Sequence, residues 1–151
     1  MKYFQTKITI PNELREMAKI RKIVEERCDR FGYPPDLTYM MVTAVDETCA
    51  NVIKYAYKKS SGTRYVMKDR NRNLVELLLR VDPGKFELEV LDKGFKFNPV
   101  ERSTSTIDFA EGAKKKGGMG LPFLKNILDT MDYQFSEDRK NVLKLVKYFS
   151  K

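Results

Sequence analysis

The sequence predicts an α+β fold, a two-layer sandwich in which helices cover a mainly antiparallel sheet. The chain has 151 residues, the size of one ordinary domain that can bury a core without disulfides or metal. Its predicted elements run strand, helix, helix, hairpin, long connection, helix, hairpin, and they contain no repeat. Helices segregated from hairpin-connected strands indicate this class and not a parallel βαβ fold. We therefore expect a single domain over residues 1–151.

The first part of the chain predicts a strand followed by a helix. Residues 3–10 alternate between apolar and polar and become β-branched toward their end, which is typical of a strand. Asn12 is suited to cap a helix over residues 13–31, since its side chain can accept a hydrogen bond from a first-turn N–H group. The apolar residues of this helix recur at helical spacing, and they are Leu14, Met17, Ile20, Ile23, Val24 and Cys28.

A second helix is predicted over residues 37–59, after the break at "GYPPD", with Asp36 as its cap. Its apolar residues nearly encircle it, so we expect this helix to lie at the centre of the fold. Residues 59–73 are mostly polar and basic, and they are predicted to form an insertion that contains an edge strand or a loop.

The second half of the chain predicts two hairpins, separated by a long connection and one helix. Residues 74–92 form two alternating runs around "DPGK", a turn-forming tetrapeptide. About 25 residues of weak periodicity follow, and a connection of that length indicates a functional lid or a mobile segment. A helix over residues 119–131 and a closing hairpin that turns at "DRKN" complete the chain.

Composition excludes several classes of function. The chain has no histidine, which removes histidine-based triads, most zinc-hydrolase sites and a self-phosphorylated histidine. Cys28 and Cys49 lie in helical patterns without C-x-x-C spacing, so we expect two buried thiols and no metal site. The sequence has no signal-peptide run and no membrane span, and we expect a cytoplasmic protein that does not bind membranes. The net charge is +8, but the 29 lysine and arginine residues are spread among 21 acidic residues. This distribution argues against direct binding of nucleic acid.

Glu47 and Asn51 are four residues apart on the second predicted helix, so both side chains point to one face. Spacing alone favours the simpler interpretation, in which both lie at the solvent edge of the helix. In the functional alternative, Asn51 supplies an oxygen to a hard cation such as Mg²⁺, and Glu47 acts as a general base toward an incoming hydroxyl group.

Asp92 ends the predicted strand "FELEVLD" and is followed by Lys93 and Gly94. Asp and Gly are common turn formers, so an ordinary turn is the simpler interpretation. A carboxylate at a strand end can also accept a hydrogen bond from a buried partner such as an exocyclic amine. Gly94 would then allow close approach of the backbone or a positive φ.

Three glycines, Gly117, Gly118 and Gly120, lie at the start of the last predicted helix, and a lysine run at 114–116 precedes them. A flexible hinge with solvated lysines is the commoner meaning of such a segment. In the functional alternative, N–H groups at the helix N-terminus bind an anion, and the lysines add positive charge. The glycine spacing fits neither a Walker loop nor a dinucleotide-binding fingerprint.

Three motifs follow one another along the chain, "AVDETCANVIKYAY", "VLDKGFKF" and "KGGMGLPFLKNILD". They resemble the N, G1 and G2 boxes of the GHKL (Bergerat-fold) ATP-binding proteins, and the chain is most similar to bacterial anti-sigma factor serine/threonine-protein kinases. The resemblance spans nearly the whole chain, and it implies a mixed, mostly antiparallel sheet covered on one face by three helices. Lys96 stands where the G1 box usually has a second glycine, so it would either limit the approach of the backbone to the nucleotide or contact a phosphate.

The resemblance also implies a role for each motif residue. Asn51 would bind Mg²⁺ and ATP, and Glu47 would be the catalytic base that activates a substrate serine. Asp92 would hold the adenine amino group, with Gly94 beside it. The ATP lid would span about 95–116, and further ATP-binding residues at its end and at the start of the last helix would be Lys116, Gly117, Gly118, Gly120 and Leu121.

Family members of this architecture bind a sigma factor and phosphorylate a serine on a small antagonist protein, often as homodimers. The resemblance therefore implies an ATP- and Mg²⁺-dependent anti-sigma factor with serine kinase activity, which regulates transcription. One alternative is a nucleotide-dependent interaction switch without kinase activity. Another is a detached histidine-kinase-type ATPase domain, which the missing histidine disfavours.

Overall fold

The chain folds into a five-stranded antiparallel sheet with helices on one face. The computed structural model describes residues 2–55, 74–96, 120–138 and 140–149. The strands are β1 (Phe4–Pro11), β2 (Leu74–Asp82), β3 (Lys85–Asp92), β4 (Thr130–Phe135) and β5 (Asn141–Tyr148), in the spatial order β1-β2-β3-β5-β4. The helices are α1 (Met17–Arg30), α2 (Pro35–Tyr55) and α3 (Gly120–Ile127), with a 3₁₀ turn over Leu14–Glu16. Among the helices of these ranges, none combines the length and the apolar character of a membrane span.

The core lies between the helices and one face of the sheet, because the strands alternate strictly. On β2 and β3 every second side chain is buried, and those between them are half-buried. The helix α2 packs against α1, α3 and β3, which confirms its predicted central position. Large buried side chains from the two layers include Met17, Ile20, Met41, Leu77, Leu79, Phe86, Leu88, Leu124 and Leu145.

The start of the first helix differs from the prediction. Asn12 does not cap it, because its side chain is buried and its Nδ2 donates to the carbonyl of Ile53, 3.1 Å away near the end of α2. Leu14 was predicted on the apolar stripe, but it is 48% exposed. It lies in the 3₁₀ turn, whose three-residue period places it on a different face from the stripe of α1.

Glycine and proline build the break between the first two helices. Gly32 has a φ of 78°, the left-handed conformation that commonly ends helices. The N–H of the next residue, Tyr33, donates to the carbonyl of Cys28 at 3.0 Å, which closes the end of α1. The helix α2 then begins at Pro35, whose missing N–H suits the first helical position. Asp36 therefore lies inside the first turn and is not the predicted cap.

The last helix is shorter than the predicted range of 119–131. It ends at Ile127, and β4 begins at Thr130. Pairing with β5 decides this, since the N–H of Asp129 donates to the carbonyl of Val146 at 2.9 Å and Thr130 lies opposite the same residue. Both predicted hairpins are present, whereas the predicted insertion at 59–73 lies outside the described residues.

Both cysteines are buried free thiols, as predicted. Burial raises the pKa of Cys28 to about 12 and also raises the pKa of Cys49. Neither thiol is therefore a reactive group at neutral pH.

Tyr33 fastens the turn between β2 and β3 to the helical layer. Its hydroxyl lies 2.8 Å from the carbonyl of Asp82 and 3.1 Å from that of Lys85, and its ring packs edge-on against Phe149.

Tyr33→Phe keeps the ring but removes the donor, so we expect the free energy of unfolding to fall by about 1 to 2 kcal/mol. Urea denaturation measures the change. Tyr39→Phe, at a position that is 68% exposed, is the control that should leave the midpoint unchanged, and equal midpoints for both variants would contradict the assigned role.

Candidate functional site

Glu47 and Asn51 lie one helical turn apart on α2, and both are half-buried. The pKa of Glu47 is raised above its ordinary value, first because burial disfavours the charged form and second because Asp46 is next to it, while Lys54 opposes the shift. Asp46 itself forms an ion pair with Arg21 of α1 at 2.7 Å. Glu47 is thus a carboxylate with increased affinity for a proton, which is the property that a general base needs.

Asp92 is the last residue of β3, and it points into the buried face of the sheet with only 5% of its surface exposed. Its Oδ1 accepts two hydrogen bonds, from the N–H of Gly94 at 2.9 Å and from Nδ2 of Asn141 at 2.8 Å. Burial raises the pKa of Asp92 to about 6, and these two hydrogen bonds oppose the rise. The bond to Gly94 is that of an ordinary Asp turn, but a turn alone does not require a buried carboxylate.

Asn141 belongs to the same site, although the sequence placed it only in the turn "DRKN". It is the first residue of β5, lies directly opposite Asp92 and is 4% exposed. Besides Asp92, its Nδ2 donates to the carbonyl of Phe95 at 2.8 Å, and its Oδ1 accepts from the hydroxyl of Tyr133. One signal pointed to it, since Asn141 shares the alternation of the buried residues Leu143 and Leu145.

Lys96, the residue that replaces a glycine of the G1 box, is exposed. Its ammonium lies 5.7 Å from the centroid of the Phe135 ring at the end of β4. This is within the range of a cation–π contact. A contact of Lys96 with phosphate stays a prediction.

The predicted phosphate-binding residues are described only in part. Gly120 is the first residue of α3 and Leu121 lies in its first turn, so their backbone N–H groups belong to a helix N-terminus. Lys116, Gly117 and Gly118 lie outside the described residues. Since α2 packs against both β3 and α3, the three elements that carry the motifs meet in one part of the fold.

Several known proteins resemble this chain in sequence or in fold. Residues 10–147 match the family model of the histidine kinase-like ATPase domain. Proteins named serine-protein kinase RsbW, from Bacillus thuringiensis and Bacillus cereus, are 23% identical over 154 residues, a match that covers 99% of this chain and 88% of each relative. The crystal structure of the SiaB-SiaC complex from Pseudomonas aeruginosa contains a chain with the same fold, at a TM-score of 0.58 and 11% identity, covering 95% of this chain and 89% of that chain.

These matches confirm the resemblance seen in the three motifs and the α+β class expected from the order of the elements. The family model covers the strands and helices that carry Glu47, Asn51, Asp92 and Asn141. This chain belongs to the histidine kinase-like ATPase domain family.

Proposed function

We propose that this chain binds ATP with Mg²⁺ and transfers the γ-phosphoryl group to a serine of a partner protein, as an anti-sigma factor kinase. The observation that carries the proposal is Glu47, a half-buried carboxylate with a raised pKa, one turn before Asn51. A module that only binds nucleotide needs no base at this position. The similarity to proteins named serine-protein kinases supports serine as the acceptor residue.

The buried end of β3 would recognise the base of ATP. The two donors that the structure gives for Asp92 both bind Oδ1. Its Oδ2 would therefore accept the hydrogen bond from the amino group of adenine, and Gly94 would lie beside the ring. A buried carboxylate that gains a donor in this way strongly disfavours a base that presents an acceptor.

The residues present fit a magnesium ion held mainly by the nucleotide. Among the described residues, no three side chains of the His, Cys, Asp and Glu types form a metal-binding cluster. Mg²⁺ is commonly bound through one or two protein oxygens together with phosphates and waters, so the amide oxygen of Asn51 would suffice as a protein ligand. When bound, the ion would neutralise negative charge on the phosphate oxygens.

Phosphate and acceptor would meet between α2 and α3. Backbone N–H groups of Gly117, Gly118, Gly120 and Leu121, with the charge of Lys116, would hold the phosphates at the start of α3. Glu47 would accept the proton of the serine hydroxyl as the serine oxygen bonds to the γ-phosphorus and the bond to the ADP oxygen breaks. The products are ADP and a phosphoserine.

The partners in this proposal are a sigma factor and a small antagonist protein that carries the serine, and the active species is a homodimer. These assignments rest on the motif resemblance to anti-sigma factor kinases. Supporting them is the extent of the similarity, which covers nearly the whole of this chain and most of each RsbW relative.

Phosphotransfer into an extract of the source cell tests the proposal. The purified chain is incubated with labelled ATP, Mg²⁺ and the extract, and labelled residues are identified by mass spectrometry. We expect label on serine of a small protein only when the chain is added. Saturable ATP binding without any transfer would instead favour the nucleotide-dependent interaction switch.

A further inference from the structure

We propose that Asn141 is a positioning residue of the nucleotide site, which fixes the carboxylate of Asp92 so that Oδ2 is the oxygen presented to the adenine amino group. This inference rests on the proposed binding of ATP. Selectivity for adenine would then depend on two residues, Asp92 on β3 and Asn141 on β5, and not on Asp92 alone.

The position of Asn141 suits this role. Asp92 and Asn141 are directly opposite each other in the β3–β5 register, and both side chains are buried. Nδ2 of Asn141 and the N–H of Gly94 both donate to the same oxygen, Oδ1 of Asp92. With two N–H groups directed at Oδ1, a proton taken up by the carboxyl group must sit on Oδ2.

Hydrogen bonds to Tyr133 and Phe95 determine the orientation of the Asn141 amide. The hydroxyl of Tyr133 on β4 donates to its Oδ1, and the carbonyl of Phe95 accepts from its Nδ2 at 2.8 Å. A flipped amide would place its oxygen against the Asp92 carboxylate and the Phe95 carbonyl, which are both acceptors. The chain of hydrogen bonds therefore runs in one direction, from Tyr133 through Asn141 to Asp92.

This arrangement makes Asp92 a selective acceptor. An ionised Oδ2 accepts from the amino group of adenine but repels the carbonyl oxygen that guanine and hypoxanthine have at the same ring position. Loss of the Asn141 donor would let the carboxyl group rotate and would favour its protonated form, whose O–H is a donor. Both changes reduce the preference for adenine.

The electrostatics of Asp92 agree with the geometry. Burial is the largest influence on its pKa, and the bonds from Asn141 and Gly94 are the influences that lower it. Ionisable residues that adjoin this pair include Lys93, which follows Asp92 in the chain, and Tyr133, whose hydroxyl donates to Asn141. Removal of the Asn141 amide therefore moves the pKa of Asp92 further upward.

The test uses Asn141→Leu, which keeps the approximate shape of the side chain and removes its donor. Calorimetric titrations measure the Kd for ATP and for ITP between pH 5 and pH 8.5. We expect ATP to bind about tenfold more weakly at pH 7.5, the ATP-to-ITP preference to fall, and the acid loss of ATP binding to occur at higher pH than in the wild type. Leu143→Ala, a buried change two residues along β5, is the control that should lose stability but keep the wild-type pH profile.

The outcomes separate the inference from the proposed function. If the wild type binds ATP but Asn141→Leu keeps its pH profile and its ATP-to-ITP preference, the inference is overturned and ATP binding stands. If the wild type shows no saturable ATP binding, the proposed function fails and the inference fails with it. Should Asn141→Leu not fold by circular dichroism, Tyr133→Phe takes its place, because it removes the donor that orients the amide. Its pH profile should move in the same direction, and coincidence with the wild type would overturn the inference.

Discussion

Glu47→Gln is expected to lower the rate of phosphate transfer to serine by about 10²–10⁴-fold, while the affinity for ATP with Mg²⁺ stays close to that of the wild type. The amide keeps the size of the side chain on α2 but cannot accept the serine proton. Burial and the adjacent Asp46 raise the pKa of this carboxylate, and the substitution removes the group that we propose as the base. Single-turnover transfer from labelled ATP, together with calorimetry for binding, measures the two effects separately.

Asp46→Asn is the matched control for Glu47→Gln. It removes one negative charge from the adjacent position on the same helix and breaks the ion pair with Arg21. That pair is partly solvated and contributes little to stability. Asp46 is also the smaller of the two causes that raise the pKa of Glu47, so transfer should stay within a few-fold of the wild-type rate. A Glu47→Gln chain that transfers phosphate as fast as Asp46→Asn would show that the base lies elsewhere.

The rate of phosphate transfer at saturating ATP should depend on pH through the ionisation of Glu47. Glu47 must be ionised to accept a proton, and its pKa is raised above the ordinary value for a glutamate. The rate should therefore fall on acidification at a pH above the usual glutamate range. This acid limb should be missing from the residual activity of Glu47→Gln.

Asp92→Asn is expected to weaken ATP binding by about a hundredfold. The two donors at Oδ1, from Gly94 and Asn141, would hold the amide oxygen of the substituted side chain in the same place. Its NH₂ group would then occupy the position of Oδ2 and meet the amino group of adenine, donor against donor. ITP presents a carbonyl oxygen there, so its affinity relative to ATP should rise in this variant. Equal loss of ATP and ITP binding would contradict the proposed contact.

The same substitution should make the protein more stable at neutral and alkaline pH. The folded-state pKa of Asp92 is raised from 3.8 to about 6, so the folded state binds its proton more tightly than the unfolded state does. The contribution of Asp92 to stability is therefore most favourable at pH values below its unfolded-state pKa. Stability falls as the pH rises to the folded-state pKa, and above that pH the cost of burying the ionised carboxylate is constant. Asp92→Asn removes this cost, on the order of 3 kcal/mol.

Urea unfolding of both chains at pH 4.5 and pH 8 checks this prediction. The gain of Asp92→Asn over the wild type should be larger at pH 8 than at pH 4.5. A variant less stable than the wild type at pH 8 would contradict the account. A residue whose replacement gains stability and loses ligand is typical of a binding site that the fold maintains at a cost.

Local patterns were enough to predict much of this fold. The alternation of residues 74–92 predicted the β2–β3 hairpin, and the apolar residues that encircle α2 predicted its central position. The predictions are wrong where contacts with distant segments of the chain determine the local structure. Asn12 bonds to Ile53, 41 residues away, instead of capping the helix next to it. Residues 130 and 131 pair with β5 instead of extending α3.

The site shows the same division. Glu47, Asn51 and Asp92 were predicted as site residues because each lies within a short motif. Asn141 was not predicted, since 49 residues separate it from Asp92 and only the β3–β5 register brings the two together. The one local indication for Asn141 was that it alternates in phase with the buried residues of its strand. This pattern does not reveal which residue it contacts.

The most direct measurement is a calorimetric titration of the wild-type chain with ATP, with and without Mg²⁺. The proposed nucleotide site at the buried end of β3 and at the N-terminus of α3 predicts saturable binding of one ATP per chain, tighter with Mg²⁺ than without it. No saturable binding at millimolar ATP with Mg²⁺ present would contradict the account at its centre.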